Sequence, residues 1–368
     1  MKKCLLILLC IVSILTGCWD QELLVNKKLI NGFSLDLTED DEILVTARAL
    51  SIQSKGGGQY EVNDELVESI RPSVAGLGIE IDNKLPGTLD INKTHIIILG
   101  EDFAKKGIHP ILEAMYRLKG SYITAKIVIG KGKGSDILST EPEKSPIAFD
   151  ILQTLKSAVN TNVVPDETII SSWSKVVDSG KDTVLPYLKR DEPNRIEVDG
   201  VALFHGDKFT GSKLSKEQSK ILLLLMNELK KISNFAIVLN QENKVRSIGF
   251  TVKGLKRNLE LKVDKKSRQI RCRIDLNLDI QINTYPQEFD KKVDIEKLQK
   301  DLSEELTKKT KKVTNTLLEA NCDALGIGRR IASFHPDLWK KINWEEEYKN
   351  VQFEPNVKVN IINTGPIF

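Results

Sequence analysis

The stretch Ile270–Ile282 alternates without a break. Ile270, Cys272, Ile274, Leu276, Leu278, Ile280 and Ile282 fall on one side, and Arg271, Arg273, Asp275, Asn277, Asp279 and Gln281 on the other. Period two is the mark of a strand, here ~43 Å long at ~3.3 Å per residue. One apolar and one wet face place it in an antiparallel sheet. The apolar face then needs a cover, and the sequence supplies one next. After a plausible N-cap at Asp294, the residues Ile295, Leu298, Leu302, Leu306, Val313, Leu317 and Ala324 recur at helical spacing. At ~1.5 Å per residue this helix is ~45 Å long and matches the strand. Cys322 falls near its end, and Gly326 is the expected stop. A coiled-coil partner would suit the same spacing, but the adjacent apolar sheet face favours packing within the domain.

A chain of 368 residues, 40% hydrophobic, is long enough for two or three domains with substantial cores. Strands are expected at Leu29–Asp36 and Glu42–Leu50, paired as a hairpin, with a flexible loop at Gly56-Gly57-Gly58. Val62, Leu66, Val67 and Ile70 predict a helix over Glu61–Val74, stopped or kinked by Pro72. His95–Gly100 reads as a strand buried on both faces. Helical stretches are expected at Phe103–Lys106 and Pro110–Leu118, then an alternating strand at Ile123–Ile129. Further helices are expected at Phe149–Val159 and Thr168–Val177, and a short strand at Thr183–Leu188. Polar, proline-bearing Asp191–Asn194 suggests a domain boundary.

Beyond it lie a strand at Ile196–Phe204 and a capping box, Ser215-Lys216-Glu217-Gln218, opening a buried helix through Ile221–Met226. Strands are expected at Phe235–Leu239, Val245–Val252 and Leu259–Val263. A helical piece carries Trp339 and Trp344, and the closing strand alternates Val351, Phe353, Val357, Val359 and Ile361. The whole predicts a multidomain α+β protein with mixed sheets and packed helices: residues 18–192 an α/β half, and 193–368 an antiparallel sheet covered by one long helix.

The N-terminus carries a different signal. Lys2 and Lys3 precede an apolar run from Cys4 to Leu15, too short to span a bilayer comfortably. Leu15-Thr16-Gly17-Cys18 then matches a bacterial lipobox. Residues 1–17 are expected to be cut off between Gly17 and Cys18, and Cys18 to carry an S-diacylglyceryl group. Two acyl chains anchor stably where one binds only marginally. The body would then lie outside the cytoplasmic membrane, tethered by lipid at Cys18. Trp19 next to the anchor suits either the membrane interface or packing against the first domain.

Little in the rest suggests chemistry. The formal charge is +3, including Lys2 and Lys3, and the basic clusters around Lys308 and Lys312 are flanked by acids, so nucleic acid is not an expected partner. The histidines His95, His109, His205 and His335 lack metal-ligand spacing. Gly130-Lys131-Gly132-Lys133-Gly134-Ser135 fails as a phosphate loop because Lys133 is followed by glycine, so a flexible turn is expected. Cys272 and Cys322, each inside an apolar pattern, are expected to be unpaired thiols. No catalytic constellation, metal site or cofactor motif emerges.

Three blocks carry a resemblance. Gly17-Cys18-Trp19-Asp20-Gln21-Glu22-Leu23, then Val198–Phe204 with Lys208–Gly211 and Leu214, then Asp323–Gly328 with Trp339, Trp344 and Val357–Gly365 resemble, in order, the Ger(x)C family of spore germination lipoproteins. The resemblance implies several mixed α/β domains, no known enzymatic activity, and work beside two integral membrane subunits, A and B, of a nutrient germinant receptor on the spore inner membrane. It carries over no ligand residues, because its motifs look structural. A solute-binding lipoprotein of a transporter is the alternative, and would need two βαβ lobes around a cleft.

Overall fold

The computed structural model describes residues 27–364 apart from 75–76, 86, 118–120, 142–144, 193–194, 242–243, 265–268 and 286–293. The lipobox, the cleavage point and Trp19 therefore lie outside the described residues. In chain order the strands are β1 Lys27–Leu37, β2 Ile43–Gly56, β3 Gln59–Arg71, β4 Thr88–Asp90, β5 Ile96–Gly100, β6 Lys126–Gly130, β7 Val184–Glu192, β8 Arg195–His205, β9 Lys208–Leu214, β10 Ser233–Gln241, β11 Lys244–Val263, β12 Ile270–Thr284 and β13 Gln352–Asn363. The helices are α1 Leu77–Lys84, α2 Glu101–Lys106, α3 His109–Arg117, α4 Gly134–Leu138, α5 Ile147–Asn160, α6 Ile169–Val176, α7 Lys216–Leu225, α8 Ile295–Glu319, α9 Ile327–Phe334, α10 Pro336–Trp339 and α11 Trp344–Glu347.

The first sheet runs β3-β2-β1-β5-β6-β7-β8-β9, with β4 added beside β1. Its centre is parallel and its flanks antiparallel. Ile96–Leu99 are wholly buried because helices cover both faces. Ile97, Leu99, Ile127 and Ile129 pack with Phe103, Leu112 and Ile169 on one side. Ile96, Ile98 and Val128 pack with Ile137, Ile147 and Ile151 on the other.

The second sheet runs β10-β11-β12-β13. The apolar face of β12 is buried from Ile270 to Ile282 and lies against Leu298, Leu302, Leu306, Val313 and Leu317 of α8. Asp294 caps that helix, its side chain accepting from the Lys297 amide at 3.0 Å. Helix α7 joins the two halves: Ile221, Leu222 and Leu225 share one core with Val201, Leu203 and Leu214 of the first sheet and with Phe235 and Ile237 of the second. Its capping box forms as expected, Ser215 and Gln218 each bonding the other's amide.

Several expectations change. Glu61–Val74 is not a helix; most of it is strand β3. Val62, Leu66 and Ile70 stand four apart, a spacing that fits one side of a helix and, being even, one side of a strand equally well. The two strands expected between Val245 and Val263 are one strand, β11. Bulges at Gly249 and between Val252 and Gly254 shift the register, so apolar positions pass from even to odd numbers within one strand. Asp191–Asn194 is no break in the sheet: β7 pairs with β8 from Val184↔Leu203 to Glu192↔Arg195, and the first sheet continues to Leu214.

The closing strand pairs parallel to β12, Cys272↔Phe353 through Ile280↔Ile361, so only β10–β12 form the expected antiparallel arrangement. The intervening helix carries the chain back for a parallel return. Gly326 does not stop the long helix. Asn321 does, at φ 50°, with the Cys322 amide reaching back to the Leu317 carbonyl at 2.9 Å. Asn162 and Asn227 end α5 and α7 in the same left-handed conformation. Gly326, at φ 69°, instead begins α9.

Candidate functional site

The sequence singled out Cys18 and Gly17, which lie outside the described residues, and weighed Gly130–Ser135 as a phosphate loop. The structure shows what occupies that loop. Asp36, at the end of β1, accepts from the Gly134 amide at 2.6 Å and the Ser135 amide at 2.9 Å. Glu101 accepts from the Gly132 amide at 2.9 Å and from the Tyr187 hydroxyl at 3.0 Å. The chain's own carboxylates thus take the donors that a phosphate would use. Burial pushes the Asp36 carboxyl above its usual range, against the pull of those amides. Asp36 was missed from sequence. Its signal is a charged residue set between Leu35 and Leu37 near the end of a strand-like stretch.

The densest polar cluster lies where the two halves meet. Asp323, almost wholly buried, accepts from the Ile327 amide at 2.8 Å, the Gly328 amide at 2.7 Å and the Trp344 indole at 3.1 Å. Asp182, just before β7, accepts from the Asp323 amide at 2.7 Å and the Gly206 amide at 2.8 Å, while its own amide donates to the Asp323 carbonyl at 3.0 Å. The Arg329 amide donates to the Gly180 carbonyl at 2.8 Å, and its guanidinium pairs with Asp178. A Cβ on Gly180 would overlap the Arg329 backbone, and one on Gly328 would overlap the Trp344 ring. The glycines and the aspartate of the Asp323–Gly328 block therefore work as a clasp between the 178–182 loop, the β8–β9 turn and the helices after α8. Gly200, in the middle block, is of the same kind: at φ 121° it lies where any side chain would strike the Leu214 carbonyl.

Burial pushes the Asp323 carboxyl up to about 7, despite its three donors. The Asp182 carboxylate, 3.8 Å from His205 Nδ1, raises the imidazole's pKa. A cavity of about 240 Å³ opens beside these groups, lined by Lys181, His205, Asn321, Glu345 and Tyr348 among others. The cluster can hold a proton near neutral pH and fix two halves in register. Neither thiol is positioned to react: Cys272 and Cys322 are buried and unpaired, and burial pushes Cys272 up to about 12. Among the described residues no group of three His, Cys, Asp or Glu side chains could hold a metal ion, and no helix is long and apolar enough to cross a membrane.

Two of the sheet edges, β13 and β3, differ. Along β13 the amides of Val357, Val359 and Ile361 donate to Thr307 Oγ1 (3.0 Å), Ser303 Oγ (3.0 Å) and Gln299 Oε1 (2.8 Å), one residue per turn of α8. The edge is closed by the chain itself. Strand β3 ends the first sheet with no strand outside it among the described residues. Its far end is held by α1: Lys84 donates to the Glu68 carbonyl at 2.7 Å, and Arg71 pairs with Glu80. Tyr60 (67%), Val62 (56%), Leu66 (38%) and Ile70 (51%) are exposed in a row on one face. That face is covered farther in, where Arg48 donates to the carbonyls of Leu138 and Thr140.

Comparison with known proteins agrees with this architecture. Residues 20–190 match the family model for the spore germination protein N-terminal domain, and residues 199–365 match the C-terminal model of spore germination B3/GerAC-like proteins. The chain belongs to the Ger(x)C family of spore germination proteins. It is 22% identical to spore germination protein GerQC of Bacillus cereus, over 99% of each chain. It is also 22% identical to spore germination protein KC of Bacillus subtilis (strain 168), over 94% of this chain and 92% of that one. The fold is similar to the crystal structure of the GerBC protein, with a TM-score of 0.58 and 17% identity over 94% of this chain and all of that one.

Proposed function

We propose that this protein is the lipid-anchored C subunit of a nutrient germinant receptor, held at the outer face of the spore inner membrane by a diacylated Cys18 and acting as a non-enzymatic scaffold beside integral membrane A and B subunits. The observation that carries the reading is full-length membership of the germination family, joined to a lipobox at the start of the chain. The clasp built from glycines and aspartates supports a scaffold role, because it holds the Asp323–Gly328 block rigid against the first half. Deleting the gene, in a strain without a compensating paralogue, slows nutrient-triggered germination and leaves sporulation intact. Cys18→Ala releases the protein from spore membranes. Normal nutrient germination in the deletion strain contradicts the receptor role, and a Cys18→Ala protein that stays membrane-bound contradicts the anchor.

A further inference from the structure

We propose that His205 is a proton-operated latch between the two halves. Neutral, its ring accepts a hydrogen bond from Asn321 across the junction; on taking a second proton it releases Asn321 and turns to Asp182 on its own side. The device belongs to the folded chain and does not depend on the receptor role.

The neutral form is fixed from Glu345 outward. The Asn321 side-chain nitrogen donates to the Glu345 carbonyl at 2.7 Å. Turned over, the side chain would set its own oxygen against that carbonyl, so the NH₂ group keeps its place. The same nitrogen lies 3.3 Å from His205 Nε2. An amide nitrogen offers only hydrogens, so Nε2 is the accepting nitrogen and the ring proton sits on Nδ1. The contact joins the halves: Asn321 is the left-handed residue that ends α8, at φ 50°, and His205 is the last residue of β8. On the other side of the ring, Nδ1 lies 3.8 Å from Asp182 Oδ2, beyond hydrogen-bond distance.

A proton arriving at Nε2 would point at the Asn321 NH₂ group, donor against donor. The relief lies on the opposite side, where the Asp182 carboxylate faces Nδ1–H. Turning the ring towards it makes an ion pair within the first half and leaves Asn321 with the Glu345 carbonyl. One bond across the junction is thereby exchanged for one inside the first half. Asp182 keeps its place meanwhile, because the amides of Gly206 and Asp323 hold its two oxygens.

The charged groups around the ring set the pH of the change. Lys175 is engaged by Glu167, and Asp178 by Arg329. Asp182 first, and Glu345 more weakly, favour the imidazolium against the cost of burial and raise its pKa above the ordinary 6.5. Lys181, on the same cavity wall, opposes it. Burial keeps the Tyr348 hydroxyl protonated. Asp323 gives up its own proton in the same range, at about 7. The latch therefore lets go of Asn321 as pH falls through a value above 6.5.

Ring ¹⁵N spectra of the purified full-length chain in detergent read the latch directly. At high pH His205 should carry its proton on Nδ1. Asn321→Gly suits the left-handed φ and removes the bond that favours the neutral ring, so the His205 pKa should rise by about 0.5–1 pH unit. By reciprocity the proton weakens the Asn321 contact by the same factor, about three- to tenfold. Exchange of the Asn321 side-chain NH₂ hydrogens, corrected for its intrinsic pH dependence, should accelerate by about that factor as His205 titrates. In His205→Gln the step should vanish; a step of the same size that remains belongs to Asp323 and overturns the latch. So does an Nε2–H tautomer in the unaltered chain, or a His205 pKa that stays or falls in Asn321→Gly. The tautomer is read without any substitution, so a variant that fails to fold leaves that test intact.

Discussion

Strands β12 and β3 carry related sequence patterns and meet opposite fates. In both, apolar residues recur on one face, without a break in β12 and interrupted by Asp64 and Glu68 in β3. In β12 the apolar row from Ile270 to Ile282 is buried, and the neighbouring edge strand β13 has its amides taken by Gln299, Ser303 and Thr307. In β3 Tyr60, Val62, Leu66 and Ile70 are exposed, and among the described residues no strand pairs with its outer edge. The difference lies in the helix that comes after each strand. After β12 comes a helix of matching length with an apolar stripe for the sheet and a polar row for the edge. After β3 comes the short α1, which ties only the strand's last residues.

The contrast can be broken first at its buried end. Leu306→Ala removes a wholly buried side chain from the α8–sheet core and should lower stability by about 2–5 kcal/mol, read from denaturant unfolding. A loss below about 0.5 kcal/mol would mean that the helix is not the sheet's cover.

The clasp between the halves comes next. Asp323 holds its proton up to about pH 7 when folded and releases it near 3.8 when unfolded. Between those values the folded state binds more protons, so this group's contribution favours the fold at low pH and is lost as pH rises towards 7, by on the order of a few kcal/mol. Asp36 acts with the same sign. Asp323→Asn should be less stable near pH 5, where it leaves one of three donors poorly matched, and should show a flatter pH slope between 5 and 8. An unchanged slope would remove the buried carboxyl from the account.

Smaller effects sharpen the comparison of the edges themselves. Ser303→Ala frees the Val359 amide and should cost about 1 kcal/mol, with faster hydrogen exchange at that amide. Val62→Asp, on an exposed position of β3, should change stability of the isolated chain by no more than about 0.5 kcal/mol. A large loss there would mean that the stripe is part of the fold after all.

The legibility of the sequence divides along the same line. Where an apolar row is buried by a neighbouring element, as in β12 with α8 or in Ile96–Leu99, local pattern and final structure agree. On β3 nothing within the chain selects between the two periods that Val62, Leu66 and Ile70 satisfy, and the helical reading fails. Register shifts hid the continuity of β11. Parallel pairing of β13 depends on where a long connection returns, which no local pattern states. The Asp323–Gly328 block was legible as structural glycines. Its partners Asp182 and Gly180 were not, because they lie far away in sequence and meet it only through the fold.

The central claim is that a lipid holds this body beside membrane partners. The most direct measurement is mass spectrometry of the affinity-tagged chain purified from detergent-solubilised spore membranes. The account predicts a mature N-terminus at a diacylated Cys18 and stable recovery of the receptor's A and B subunits. An unmodified Cys18 behind an uncut leader, or a chain recovered from the soluble fraction without either subunit, would contradict it.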